Sequence, residues 1–116
     1  HKEYRRQRQM CIRDRENALY GPAKAALIQL TKNMAFELAG ENIQVNSVSP
    51  GPIATRFNIE SYGRVPGRMA LMTGRVPAGR FGTEAEVAEV VAFLATSEGS
   101  YIQGHDLVVD GGYVIH

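Results

Sequence analysis

The amino-acid sequence predicts an α/β fold with parallel strands, and three observations carry that expectation. Apolar residues recur at helical spacing over residues 23–38, short β-branched runs lie at 43–49 and 107–109, and a capping box opens a second helix between those runs. The order is helix, strand, long crossover with a helix, strand, which is a piece of a parallel-sheet architecture whose crossover is expected to be right-handed.

Each element has its own sequence signal. Pro22 is tolerated only in a first helical turn, so the first helix is expected to begin near Leu19 or Tyr20. Ala23, Leu27, Leu30, Met34 and Leu38 form one apolar stripe. Ala26, Ile28, Ala35 and Phe36 make a second one, so this helix is expected to be packed between neighbours. Gly40 is the expected stop. Ile43-Gln44-Val45-Asn46-Ser47-Val48-Ser49 reads as a strand closed by the turn Pro50-Gly51-Pro52. Residues 56–82 are broken by Gly63, Pro66, Gly67, Gly74, Pro77, Gly79 and Gly82 and read as an irregular lid or binding segment. Thr83 and Glu86 then make the capping box of a helix that runs through Val87, Val90, Val91 and Leu94 to about Ser97. Leu107-Val108-Val109 is the second strand, and Asp110-Gly111-Gly112 is a turn.

Composition narrows the function classes. The 116 residues are 44% hydrophobic and 22% charged, which suits one soluble globular domain and argues against disorder. No apolar run approaches the ~18 residues of a membrane span, and the first residues lack the apolar core of a signal peptide. The single cysteine excludes a disulfide framework and a thiolate metal cluster, and makes a reducing, cytoplasmic setting the default. His1, His105 and His116 have no metal-ligand spacing, so no metal site is expected. Residues 1–15 hold six bases and two acids, whereas residues 16–116 hold seven bases and ten acids. The bulk of the chain therefore offers no footprint for nucleic acid.

The basic N-terminal stretch has three readings: a nucleic-acid arm, a solvated tail, or a non-native scar. Gln9-Met10-Cys11-Ile12-Arg13-Asp14-Arg15 resembles the translation of CAG-ATG-TGT-ATA-AGA-GAC-AG plus one base, a transposon end used as a sequencing adapter. On that resemblance residues 1–15 are expected to be an adapter artefact or a disordered basic arm, and are set aside from fold reasoning.

The chemistry begins at Tyr20 and Lys24. At i and i+4 they share one helical face, with Cβ atoms about 5–6 Å apart. A phenol titrates near ~10, and an ammonium one turn away favours the phenolate and so poises the tyrosine to exchange a proton. The plainer reading of the same pair is a surface tyrosine resting on a lysine stem. The Pro50-Gly51-Pro52-Ile53-Ala54-Thr55 turn follows at the carboxyl end of a strand, where open α/β sheets bind ligands.

Tyr20-Gly21-Pro22-Ala23-Lys24-Ala25-Ala26-Leu27, followed by Val45-Asn46-Ser47-Val48-Ser49-Pro50-Gly51-Pro52-Ile53-Ala54-Thr55, resembles the short-chain dehydrogenase/reductase family. Arg80-Phe81-Gly82-Thr83, Glu86-Val87-Ala88 and Asp110-Gly111-Gly112 continue the likeness, which covers residues 16–116. It implies the C-terminal part of a Rossmann-type doubly wound parallel sheet, lacking the N-terminal Gly-rich half. It also implies hydride transfer between an alcohol and a ketone with NAD or NADP. On this resemblance Tyr20 is the general acid/base, and Lys24 lowers its pKa and holds the nicotinamide ribose. Pro50 and Gly51 line the nicotinamide, Ile53 meets its carboxamide through backbone groups, and Thr55 reaches the carboxamide or phosphates. Residues 56–79 become a substrate loop with Phe57, Tyr62, Met69 and Met72 as candidate walls, although ordinary loop packing explains those four equally well. Asn46 is expected to bridge backbone groups, and Asp110 to fix the last turn. Family members commonly form dimers or tetramers through the Tyr/Lys helix and the C-terminal strand.

The departures count as well. No G-x-G occurs in the chain, so the pyrophosphate turn and the residue that selects NAD or NADP are not legible. The family's catalytic serine, about thirteen residues before the tyrosine, would fall near Gln7, and its catalytic asparagine has no counterpart here. Two alternatives stand beside the enzyme: a non-catalytic interaction fragment, and a nucleic-acid module resting on Arg5-Arg6-Gln7-Arg8. The substrate is open among oxoacyl carriers, sugars, cyclic alcohols and steroids.

Overall fold

The computed structural model describes residues 19–96 and 99–115. The suspected artefact at residues 1–15 lies outside them. Helix α1 spans Tyr20–Leu38, beginning where Pro22 required. Its end differs from expectation. A short 3₁₀ turn covers Ala39–Glu41, and the left-handed residue is Asn42, with φ 58°, rather than Gly40. Asn42 tolerates this conformation because its short polar side chain carries little steric penalty there. The Ile43 N–H then donates to the Leu38 carbonyl at 3.3 Å and seals the helix end.

Strand β1 is Ser47–Pro50 and strand β2 is Asp106–Val109. They pair in parallel, with Ser47 opposite Asp106 and Pro50 opposite Val109. The expected strand at 43–49 is thus shortened from its N-terminal side. Residues 43–46 are held mostly by side chains, together with one backbone bond from Gly104 N–H to the Val45 carbonyl at 2.9 Å. The Gln103 Oε1 accepts from Val45 N–H at 2.7 Å, and its Nε2 donates to the Ile43 carbonyl at 2.8 Å. Asn46 donates to the Ile102 carbonyl at 2.8 Å and accepts from His105 N–H at 3.0 Å, the backbone-bridging part expected of it.

Between the strands, three helices replace the expected single one. Residues 56–82 are not irregular throughout: α2 covers Arg56–Gly63 and α3 covers Arg68–Thr73. Helix α4 is Glu84–Leu94, opened by the expected Thr83–Glu86 capping box and closed before Ser97. Its last turn tightens, with Ala95 N–H shared between the Val91 and Ala92 carbonyls at 3.0 and 3.2 Å.

Among the described residues the buried apolar ones are Ala35, Ile53, Val76 and Leu94. They come from α1, the post-β1 turn, the segment after α3, and α4, so the core is a seam between elements. Helix α1 is not packed between neighbours among the described residues. Only Thr31 and Ala35 are buried on it, while Leu27, Leu30 and Phe36 are exposed. It meets the rest of the fold at its C-terminal half, where Gln103 donates to the Ala35 carbonyl at 3.2 Å.

Candidate functional site

Strand β1 delivers Pro50, Gly51, Ile53 and Thr55 into one turn, and three contacts fix its shape. The first is at Gly51. Its N–H extends the ladder by donating to the Val109 carbonyl at 2.9 Å. A Cβ built here would lie 2.5 Å from the Asp110 Cβ and 2.6 Å from its Cα, so only glycine fits. The second is a parallel bridge between Ile53 and Gly82, in which Ala54 N–H donates to the Gly82 carbonyl at 2.8 Å and Gly82 N–H donates to the Pro52 carbonyl at 3.0 Å. The third is Thr55, which caps α2 by accepting from Asn58 N–H at 3.2 Å.

This arrangement sorts the backbone groups of Ile53. In a parallel bridge whose bonds come from the flanking residues, the central residue's own groups face the opposite side. The Ile53 carbonyl there accepts from Thr55 N–H and from Asn58 Nδ2, each at 2.8 Å. Both lone pairs are engaged, which leaves N–H as the backbone group Ile53 can offer a ligand. The Ile53 side chain, 7% exposed, anchors the turn from below. The Thr55 oxygen accepts within the cap, so its hydroxyl proton is what it can donate outward.

Tyr20 and Lys24 open α1. Lys24 Nζ stands 5.4 Å from the centre of the Tyr20 ring, so the helical face expected from their spacing is formed. Tyr20 is 60% exposed, and solutes can reach its hydroxyl. Geometry of this kind can hold a phenolic oxygen and an ammonium over one ligand.

The segment after the turn carries the candidate wall residues. Phe57 is exposed, and Met69 and Met72 are half-buried. Tyr62 packs edge-on against Phe81, with ring centres 5.9 Å apart, and the Arg68 guanidinium lies 5.5 Å from the Tyr62 centre.

Two groups have a part here that the motifs did not disclose. Asn58 props the Ile53 carbonyl, and its only sequence signal is a position three residues after the Thr55 cap. Arg80 pairs bidentately with Glu86, Nη1 to Oε2 at 2.9 Å and Nη2 to Oε1 at 2.6 Å. The same Glu86 Oε2 accepts from Thr83 N–H at 2.8 Å. The Arg80 bond, followed by the Thr83 N–H, holds the Glu86 carboxyl well below its ordinary range, at about 2. A cavity of about 100 Å³ lies behind the turn, lined by Pro52, Ile53, Arg80, Glu86, Val109 and Asp110 among others. Asp110 closes it from the C-terminal side. Its two carboxylate oxygens accept from Gly112 and Val114 N–H, both at 2.8 Å, as expected of a residue that fixes the last turn.

A family model described as enoyl-(acyl carrier protein) reductase matches residues 8–114. The 3-oxoacyl-(acyl-carrier-protein) reductase FabG of Thermotoga maritima is 47% identical over 96 residues, which are 83% of this chain and 38% of that protein. The Pseudomonas aeruginosa RhlG/NADP active-site complex matches with a TM-score of 0.74 and 36% identity, over 83% of this chain and 38% of its own. A 4-hydroxyisoleucine dehydrogenase complexed with NADH matches with a TM-score of 0.77 and 34% identity, over 83% and 39%. The chain therefore spans 38% to 39% of the length of these relatives.

Proposed function

The chain belongs to the short-chain dehydrogenase/reductase family, and from that premise we propose that it carries the acid–base pair and nicotinamide-facing turn of an oxidoreductase. Its parallel α/β architecture is part of the family's Rossmann-type sheet. The reaction is the interconversion of an alcohol and a ketone. NAD or NADP supplies or accepts the hydride when bound; relatives complexed with NADP and with NADH support either form.

The residues fit such a cofactor. Gly51 leaves the turn without a side chain against Asp110, and the Ile53 N–H is the donor suited to a carboxamide oxygen. Pro50 and Gly51 would line the nicotinamide ring, and the Thr55 hydroxyl would donate to the carboxamide or a phosphate. Tyr20 would give its phenolic proton to the carbonyl oxygen in reduction and take it back in the reverse direction. The Lys24 ammonium stabilises the phenolate left behind and bonds the nicotinamide ribose. The observation that carries the reading is the Tyr20–Lys24 face, with Nζ at 5.4 Å from an accessible ring.

The substrate is a small alcohol or carbonyl compound, and the complete protein is a dimer or tetramer. A cytoplasmic setting is the one its single cysteine favours. Among the described residues no helix is long and apolar enough to cross a membrane.

The test is mutational, in the complete protein that carries this chain. Tyr20→Phe should abolish turnover while cofactor binding stays nearly intact, since only the proton donor is lost. Lys24→Ala should damage both, because the ribose contact goes with it. Equal and mild losses in the two variants would refute the assignment.

A further inference from the structure

The nicotinamide-facing turn does not hold itself. Its two hydrogen bonds to Gly82 depend on where Gly82 sits, and Gly82 lies between Arg80 and Thr83, both of which are tied to one carboxylate. Arg80 Nη1 also donates to the Phe81 carbonyl at 3.1 Å, so the guanidinium grips the backbone on one side of Gly82. Glu86 grips the other side through Thr83 N–H and, at 3.2 Å, the Thr83 hydroxyl. Glu86 belongs to the first turn of α4 and cannot drift, because that helix is pinned by its reciprocal cap.

The clearance is tight as well. A Cβ on Gly82 would come within 2.8 Å of Ile53 Cδ1, so the end of the Ile53 side chain covers Gly82, and the two hydrogen bonds couple the backbones directly. A shift of Gly82 must therefore shift Pro52–Ala54. The opposite flank of the turn is held independently, at Gly51 against Asp110.

We propose that Arg80 and Glu86 are positioning residues for the nicotinamide end of the cofactor, acting through Gly82 on Ile53. The proposal rests on the reading of the 50–55 turn as the nicotinamide contact. Both act through the backbone, Arg80 on the Phe81 carbonyl and Glu86 on Thr83 N–H. The bidentate pair supplies orientation that a single contact would not, since two parallel bonds fix the plane of the guanidinium. The low proton affinity of Glu86 agrees with this, because it keeps the pair charged through the neutral range.

The proposal makes a distinction that general loosening of the fold would not. ADP-ribose shares the adenine half of the dinucleotide and lacks the nicotinamide. In the complete protein, Arg80→Met and Glu86→Gln should each raise the dissociation constant for NAD(P)H about fivefold, the scale of losing one well-ordered ion pair. The constant for ADP-ribose should stay unchanged. Glu86→Gln keeps an acceptor for Thr83 N–H, so the helix cap survives and the variant tests the pair rather than folding. Arg80→Lys should recover only part of the loss, because an ammonium is a point charge and cannot reproduce the fork. The double variant should be no worse than either single one.

Parallel losses for both ligands would mean a structural role and would overturn the proposal, as would NAD(P)H binding that the variants leave untouched. A wild-type protein that binds neither ligand would refute the cofactor reading, and this inference with it.

Discussion

Single residues set the shape of the turn that is proposed to meet the nicotinamide. Gly51 is required by proximity and not by backbone sign: it is absent from the positive-φ glycines, yet a methyl group there would overlap Asp110. Gly51→Ala should destabilise the complete protein by about 1–3 kcal/mol, the cost of overpacking a tight contact, read as a shift in the urea midpoint. A neutral result would mean that the strand ends move apart freely. Asp110 is the reciprocal case. Its carboxylate accepts two backbone N–H bonds, so Asp110→Ala should cost about 1.5–3 kcal/mol, and Asp110→Asn less, since the amide keeps one acceptor. Sequence alone places Asp110 in a turn. That it also walls the space behind Ile53 follows from the strand pairing, which brings position 110 opposite position 51.

At the scale of elements, signals of different strength met different fates. The α4 capping box was fully legible, because Thr83 and Glu86 need only each other and the helix between them. Helices α2 and α3 were not legible. At eight and six residues they are too short to display a 3.6 period, and the surrounding glycines and prolines mask them. The Thr55 cap and the Arg56–Glu60 pair at 2.8 Å were local signals for α2, but weak ones. Strand β1 shows the opposite error. Residues 43–46 have strand composition, yet apart from Gly104 N–H on the Val45 carbonyl their long-range bonds run through the Gln103, Gln44 and Asn46 side chains and not through a ladder. The Arg80–Glu86 pair gives this scale its pH dependence. The Glu86 carboxyl binds protons more weakly in the folded chain than its ordinary 4.5, at about 2. Its contribution is thus fully present above about pH 4.5 and is lost as the pH falls toward about 2. The difference in urea midpoint between wild type and Glu86→Gln should be flat above about pH 5 and should close as the pH approaches 2. A difference that grew on acidification would contradict the pairing.

At the scale of the molecule, apolar surface exceeds what the described residues bury. Leu27 and Leu30 are about half exposed and Phe36 is 88% exposed, on a helix whose two apolar stripes call for two partners. Among the described residues strand β1 pairs with β2 alone in a two-stranded sheet, although parallel strands are normally flanked and covered on both faces. An unpaired edge of this kind invites intermolecular pairing. The 116-residue polypeptide by itself should therefore be aggregation-prone or loosely packed, and should bind NAD(P) negligibly. Sharp, dispersed amide resonances from a soluble monomer would contradict the first expectation, and saturable micromolar cofactor binding the second. The complete protein should sediment as a dimer or tetramer through α1, whose exposed stripe fits a self-complementary interface. A monomer at micromolar concentration would contradict that.

What the sequence determined by itself was local. The Tyr20–Lys24 face, the start of α1 just before Pro22, the Thr83 cap and the strand–turn at Ser49-Pro50-Gly51 each depend on residues a few positions apart, where helical period, ring geometry and capping chemistry decide the outcome. The likeness carried by the Tyr20–Leu27 and Val45–Thr55 motifs added the family, which the matching model over residues 8–114 bears out. Other contacts at the turn come from long-range packing. Gly82 lies 29 positions beyond Ile53 and Asp110 lies 59 beyond Gly51, and no local rule couples such pairs. Gly51 and Asp110 meet because β1 and β2 align in parallel and place their carboxyl ends side by side, and Ile53 meets Gly82 at a separate parallel bridge outside both strands. The Gly51–Asp110 contact exists only once that alignment has formed, whereas the Thr55 cap and the Arg80–Glu86 pair, six positions apart, are local.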